Sequence, residues 1–281
     1  MKIVVCIPAR YDSTRFPGKV LAQDTGKFLI QHTYERACKA GLPQRVIIAA
    51  DDGRVVRAAE SFGAPCVLTR ADHQSGTDRI AEAVADLDAD IVVNVQGDEP
   101  EIDPDHIDLL ARLLVENPDV PMATLATPLR LREQVADPNV VKVVVASLVA
   151  GRASLDNRSV AGAAAARAIY FSRSPIPYDR DKGGIGPAAN YLRHIGIYAY
   201  RKGFLLQLAT LPQTPLERTE KLEQLRVLEN GHAILVGTVE HTAEGIDTPQ
   251  QYAAFVQRYR KQNTNDPTHD TPASQGQDSN D

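Results

Sequence analysis

The chain has 281 residues, 43% of them hydrophobic, and a formal net charge of −5. That length supports one sizeable core with a smaller lobe attached, and the acidic balance gives no global positive field for a nucleic-acid partner. No apolar run approaches the length of a membrane span, and Lys2–Ile7 is too short for the apolar part of a leader, so the cytoplasm is the expected compartment and no membrane partner is expected.

Strand and helix patterns alternate through the first half. Strand-like runs fall at 3–7, 45–50, 65–69 and 90–95, and helix-like runs at 27–40, 53–62, 77–87 and 104–116. Gly41 and Gly63 follow two of these helices, where a left-handed C-terminal cap favours glycine. Asp103-Pro104 reads as an N-cap followed by proline in the first turn. The unbroken apolar run Ile91-Val92-Val93 fits a parallel strand covered on both faces. This alternation predicts an α/β fold built on an open, mostly parallel sheet.

The middle is richer in strands, at 122–129, 140–146, 168–172 and 193–200, interrupted by an alanine-rich segment at 161–168 that reads as a loop or a short helix. Thr214-Pro215-Leu216-Glu217 is a capping box with proline in the first turn, and predicts a helix running to about Glu229, closed by Asn230-Gly231. A strand at 233–239 and a second capping pattern at Thr248-Pro249-Gln250-Gln251 follow. Residues 1–258 are expected to form a single domain. Residues 262–281 carry no core pattern and read as a disordered polar tail. Cys6, Cys38 and Cys66 have neither disulfide-framework nor metal-ligand spacing and read as buried free thiols.

Seven segments carry chemistry. Pro8-Ala9-Arg10-Tyr11-Asp12-Ser13-Thr14-Arg15-Phe16-Pro17-Gly18-Lys19 follows the first strand, where open α/β sheets bind ligands. Its three cations suit a triphosphate, because arginine offers phosphate a two-pronged donor and lysine a point charge. It lacks the glycine spacing of a Walker A loop. Arg70-Ala71-Asp72-His73-Gln74-Ser75-Gly76-Thr77-Asp78-Arg79 opens a helix, with Ser75 or Thr77 as cap and an N-terminus that favours an anion or a polar base edge. His73 reads as a structural hydrogen-bonder.

Gln96-Gly97-Asp98-Glu99 ends a buried strand beside the basic loop, the place for a magnesium carboxylate. Glu99 is either a second ligand or a turn residue. Farther on, Ser172-Arg173-Ser174-Pro175 and Arg193-His194-Ile195-Gly196-Ile197-Tyr198 offer an arginine for a carboxylate, and a histidine and tyrosine on one strand face. Leu222-Glu223-Gln224-Leu225 places two polar acceptors beside an apolar stripe. Gly245-Ile246-Asp247-Thr248-Pro249 puts a carboxylate just before a helix cap.

Together these segments resemble the 3-deoxy-manno-octulosonate cytidylyltransferases, also called CMP-Kdo synthetases, over roughly residues 2–258. The resemblance implies a nucleotide-diphospho-sugar transferase type of fold with a smaller strand-rich sugar and dimerisation portion. It implies CTP and Kdo as substrates, Mg2+ as cofactor and a homodimer. Ala9, Arg10, Ser13, Arg15, Lys19, Arg70, Ser75, Thr77 and Arg79 would bind the nucleotide. Gln96, Arg173, His194, Tyr198, Glu223 and Gln224 would bind the sugar, and Asp98 and Asp247 the metal. Arg15, Lys19, Asp98 and Asp247 form the expected catalytic set. Two features depart from the family: alanine precedes Asp51-Asp52 where relatives commonly have threonine, and 147–166 is longer and richer in alanine. CMP activation of another acidic sugar, or a non-catalytic nucleotide-sensing role, are the alternatives.

Overall fold

The computed structural model describes residues 1–13, 15–147 and 165–264. The first half alternates as expected: β1 (Ile3–Ala9), α1 (Leu29–Ala37), β2 (Arg45–Ala50), α2 (Gly53–Ser61), β3 (Cys66–Leu68), α3 (Gly76–Val84), β4 (Ile91–Asn94) and α4 (Pro104–Glu116). The second half adds β5 (Met122–Pro128), α5 (Arg132–Ala136), β6 (Lys142–Ser147), β7 (Ala165–Ser172), β8 (Leu192–Arg201), α6 (Lys202–Leu208), α7 (Pro215–Glu220), α8 (Gln224–Glu229), β9 (Ile234–Thr238) and α9 (Pro249–Thr264).

The nine strands form one sheet among the described residues, in the order β3-β2-β1-β4-β8-β5-β9-β7-β6. β1 to β4 pair in parallel, and β8 joins them antiparallel to β4. The expected strand-rich portion is therefore a continuation of the nucleotide-side sheet, with mostly antiparallel pairing. β6 also pairs with the start of β8, so β8, β5, β9, β7 and β6 close on one another.

Strand alternation sends successive side chains to opposite faces. Val5, Ile7, Ile48 and Val93 pack with Ile30, Val55, Ile107 and Leu110 from α1, α2 and α4. Val4, Cys6, Ile47 and Val92 pack with Ile80, Phe204 and Leu225 from α3, α6 and α8. Both faces are covered, which is why β4 reads as an unbroken apolar run.

Several expectations change. The helix expected from Pro215 to about Glu229 is two helices, α7 and α8, because Lys221 adopts a left-handed conformation (φ 55°) and ends α7. Half of the capping box forms: the Thr214 N–H donates to Glu217 Oε2 at 3.2 Å, while the Thr214 hydroxyl oxygen has no hydrogen-bond partner. Residues 165–168 are strand rather than loop or helix; the rest of the alanine-rich segment lies outside the described residues. α9 extends to Thr264, past the start of the expected tail, and residues 265–281 lie outside the described residues. Of the three thiols only Cys6 is buried; Cys38 is exposed and Cys66 partly buried.

Candidate active site

The carboxyl ends of β1 and β4 open into a cleft with two adjoining chambers. One, of about 460 Å³, is lined by Arg10, Ser13, Arg15, Lys19, Ser75 and Asp98 among others. The second, of about 390 Å³, is lined by Thr77, Asn94, His194, Tyr198, Glu223 and Gln224 among others. Gly76, Gln96 and Glu223 line both, so the chambers share a wall.

Two glycines make the first chamber possible. Gly97 lies so close to β1 that an added Cβ would stand 2.8 Å from the Pro8 carbonyl oxygen and 3.0 Å from Ile30 Cδ1. Any side chain there would push the end of β4, and Asp98 with it, away from β1. Gly18 turns the basic loop at φ 67°, a conformation glycine adopts freely, and its N–H donates to the Tyr11 carbonyl at 3.1 Å. That closure brings Lys19 back toward β4.

Lys19 is the hub of the charged centre. Its ammonium donates to Asp98 Oδ2 at 2.5 Å, Asp247 Oδ1 at 3.0 Å and the Ile246 carbonyl at 2.9 Å. Arg15 Nη2 pairs with Asp247 Oδ2 at 2.9 Å. Asp247 is held there by three backbone N–H groups: that of Ile246 donates to the Asp98 carbonyl, and those of Asp247 and Thr248 donate to Gln251 Oε1. The structure thus joins two aspartates 149 positions apart in sequence through one lysine. Burial, then Asp98, pushes the neighbouring Glu99 carboxyl up to about 8, with Arg193 acting against it. Desolvation thus favours the neutral form of the Glu99 carboxyl.

The donor set fits magnesium. Asp98 and Asp247 are hard oxygen ligands converging on one cation position, which an ammonium fills, and magnesium characteristically takes one or two carboxylates beside phosphate oxygens and water. Among the described residues no group of three or more metal-ligating side chains exists, so nothing resembles an all-protein cage.

At the α3 N-terminus, Ser75 is the cap, accepting from the Asp78 N–H at 3.1 Å. Thr77 instead donates to Glu223 Oε2 at 2.7 Å, which ties the start of α3 to the start of α8 across the wall between chambers. In the second chamber, Thr124 Oγ1 lies 2.8 Å from the Ile197 carbonyl, to which it donates, and 3.0 Å from His194 Nε2, from which it accepts. Burial, and then Arg193, lowers His194 to about 3, so the ring is neutral at working pH and its Nδ1 is a bare acceptor. Gln224 is buried, with its carbonyl oxygen facing the Tyr198 hydroxyl at 3.4 Å and its Nε2 without a protein partner.

Other expected site residues stand elsewhere. Arg79 is wholly enclosed and cannot reach a ligand in the cleft without a rearrangement. Arg70 is exposed outside the two chambers and pairs with Asp72 and Glu82. Ala9 is buried at the end of β1, with its flanking residues Pro8 and Arg10 lining the cleft. Arg173 does not line the second chamber; its guanidinium donates to the carbonyls of Pro138, Glu220 and Lys221. His73 is engaged with Glu82, as a structural hydrogen-bonder would be.

Asn94, Asn139, Arg193 and Lys221 line the second chamber and were not expected there. Asn94 carried a signal: it is an amide ending an apolar strand, and its Oδ1 accepts from Gln96 Nε2 at 3.2 Å. Asn139 and Lys221 carried none, because loop closure and one left-handed residue bring them there.

Comparison with known proteins gives the family. The cytidylyltransferase family profile matches residues 4–234, which leaves Asp247 beyond its end. The 3-deoxy-manno-octulosonate cytidylyltransferase of Syntrophotalea carbinolica is 49% identical over 255 residues, covering 89% of this chain and 95% of its own. That of Solibacter usitatus is 51% identical over 249 residues, covering 89% and 91%. A solved structure of CMP:2-keto-3-deoxy-manno-octonic acid synthetase complexed with CTP superposes with a TM-score of 0.82 at 39% identity, covering 93% of this chain and all of that one. Family profile, sequence identity and fold agree: the chain belongs to the 3-deoxy-manno-octulosonate cytidylyltransferases, within the cytidylyltransferase family.

Proposed function

We propose that the chain transfers the cytidylyl group of CTP to 3-deoxy-manno-octulosonate, giving CMP-Kdo and pyrophosphate. The observation that carries this reading is the shared wall of Gly76, Gln96 and Glu223 between a cation-rich chamber and one lined by amide, imidazole, phenol and carboxylate groups. Such a pair suits a triphosphate beside a polyhydroxylated acid, with the reacting atoms meeting at the wall.

The anomeric hydroxyl would attack the α-phosphorus, losing its proton as the new P–O bond forms and the bond to pyrophosphate breaks. Arg10, Arg15 and Lys19 are fitted to bind the triphosphate and spread the charge that develops on it. Glu223 and the neutral His194 are acceptors for sugar hydroxyls, and the Gln224 amide is a donor. Asp98 and Asp247 would hold magnesium. When bound there it offsets phosphate charge and polarises the reacting oxygens. No covalent enzyme intermediate is required.

Pyrophosphate release tests the reading. Release is expected only with CTP, magnesium and Kdo together. Equal turnover with sialic acid, or with UTP for CTP, overturns the substrate assignment. We also expect a homodimer in the cytoplasm. Leu131, Ile169 and Tyr178 in the second half of the fold are exposed apolar side chains that an interface could cover. Light scattering should give about twice the chain mass of 30.6 kDa, and a monomer at every concentration rejects the dimer.

A further inference from the structure

Arg79 lies in the first turns of α3 with no solvent-exposed surface, an unusual place for a guanidinium. Its Nη1 donates to Thr69 Oγ1 at 2.6 Å and to the Arg70 carbonyl at 3.2 Å. Its Nη2 lies 3.5 Å from Asp51 Oδ2, while Nε and Nη2 make no hydrogen bond. Burial lowers the arginine's proton affinity and Asp51 works against that. A buried ion pair with idle donors is poor value as pure stabilisation, because desolvating both charges offsets most of their attraction. It does hold its partners in one arrangement.

Those partners lead to the cleft. Asp51, just past β2, accepts the Tyr11 N–H on its other oxygen at 2.9 Å. The Tyr11 carbonyl accepts the Gly18 N–H that closes the basic loop, and the Arg54 guanidinium covers the Tyr11 ring at 3.4 Å from its centroid. On the other side, the Arg70 carbonyl held by Arg79 belongs to the loop whose His73 carbonyl accepts from Arg10 Nη2 at 3.3 Å. One buried guanidinium therefore anchors both loops that flank the first chamber.

We propose that Arg79 is a positioning residue for the nucleotide: through Asp51 and the Tyr11 amide it fixes the loop that presents Arg10, Arg15 and Lys19 to the triphosphate. It touches no substrate. The proposal rests on the triphosphate reading of that loop.

The experiment compares Arg79→Lys, Asp51→Asn and the double variant in the full chain by steady-state kinetics, CTP calorimetry and amide hydrogen exchange. Each single change should raise the KM for CTP about tenfold and leave the KM for Kdo unchanged. Each should speed exchange at the Tyr11 and Gly18 amides, a readout that needs no nucleotide. The double variant should be no worse than the worse single one, since both break one chain of contacts. Effects that multiply, or a CTP defect in Arg79→Lys with Asp51→Asn silent, overturn the proposal, the second by making Arg79 a direct ligand. Should Arg79→Lys fail to fold, Asp51→Asn alone decides: unchanged KM for CTP with unchanged Tyr11 exchange rejects the proposal. Absence of CTP binding by the wild-type chain would instead reject the nucleotide reading, whatever the exchange data give.

Discussion

The Lys19 ammonium stands 2.5 Å from Asp98 and occupies the cation position between that carboxylate and Asp247. An ammonium and a divalent cation cannot share that point. Replacing Lys19 with Met should therefore tighten Mn2+ binding to the nucleotide-free protein, by about tenfold, a change of about 1.4 kcal/mol. The same variant should bind CTP more weakly, having lost a phosphate contact. Electron paramagnetic resonance of free Mn2+ measures the first effect directly, and equal Mn2+ affinity in both proteins would show that the lysine does not compete.

Asp98→Asn and Asp247→Asn keep side-chain size and remove the charge a divalent cation needs. Losing charge stabilisation worth about 3–4 kcal/mol would slow turnover on the order of a hundred- to a thousandfold. Both variants should remain folded and need more magnesium. A magnesium titration of activity beside thermal unfolding separates the two quantities. Near-normal rate and magnesium dependence in Asp247→Asn would reduce Asp247 to a turn residue.

Much of the site was legible because its chemistry follows strand ends. The runs ending at Ala9 and Asn94 are apolar enough to read as buried strands, so the Arg10–Lys19 loop and Asp98 could be placed together at the carboxyl end of one sheet. Asp247 was legible only through the family resemblance, since its role depends on Ile246 pairing with the Asp98 backbone. Arg79 and Arg173 stand away from the two chambers for a common reason. A sequence shows that an arginine is near a site, but not whether its guanidinium faces the ligand or is consumed by carbonyls behind it. The break at Lys221 was illegible because a non-glycine residue adopts a left-handed conformation there, against local preference.

That break is bridged by a buried pair. Arg226 on α8 donates to Glu217 on α7 through both Nε (2.8 Å) and Nη2 (2.5 Å), and both residues are buried. Glu217→Gln would leave the guanidinium without its counter-charge in a desolvated site. The expected cost is about 3–5 kcal/mol. α8 begins beside Glu223 and Gln224, so the KM for Kdo should rise as well. Urea unfolding and Kdo titration test both, and a stability change under about 1 kcal/mol would mean that the pair is dispensable.

A separate pH dependence should come from His32 on α1. Its ring is buried, meets Phe255 and Tyr259 of α9 edge-on at 5.1 Å and 4.8 Å, and lies 2.7 Å by Nε2 from Thr25 Oγ1. The Thr25 hydroxyl donates to the Lys27 carbonyl, so the imidazole N–H is the donor to Thr25. Burial, and secondarily Lys27, lowers this histidine to about 4 from the ordinary 6.5, while Glu35 and Glu101 act in the opposite direction. A base depressed in the folded state takes up its proton first in the unfolded chain. Between pH 6.5 and pH 4 the unfolded state binds more protons at this site, so folding stability is full above that window and falls through it. The loss should be on the order of 1–3 kcal/mol. His32→Gln keeps an N–H donor but cannot titrate. It will be less stable at pH 7.5 through lost ring packing, so the informative quantity is the slope. Urea midpoints at pH 7.5 and 4.5 should differ less in His32→Gln than in the wild-type chain, and equal differences in the two proteins would place the acid sensitivity at other residues.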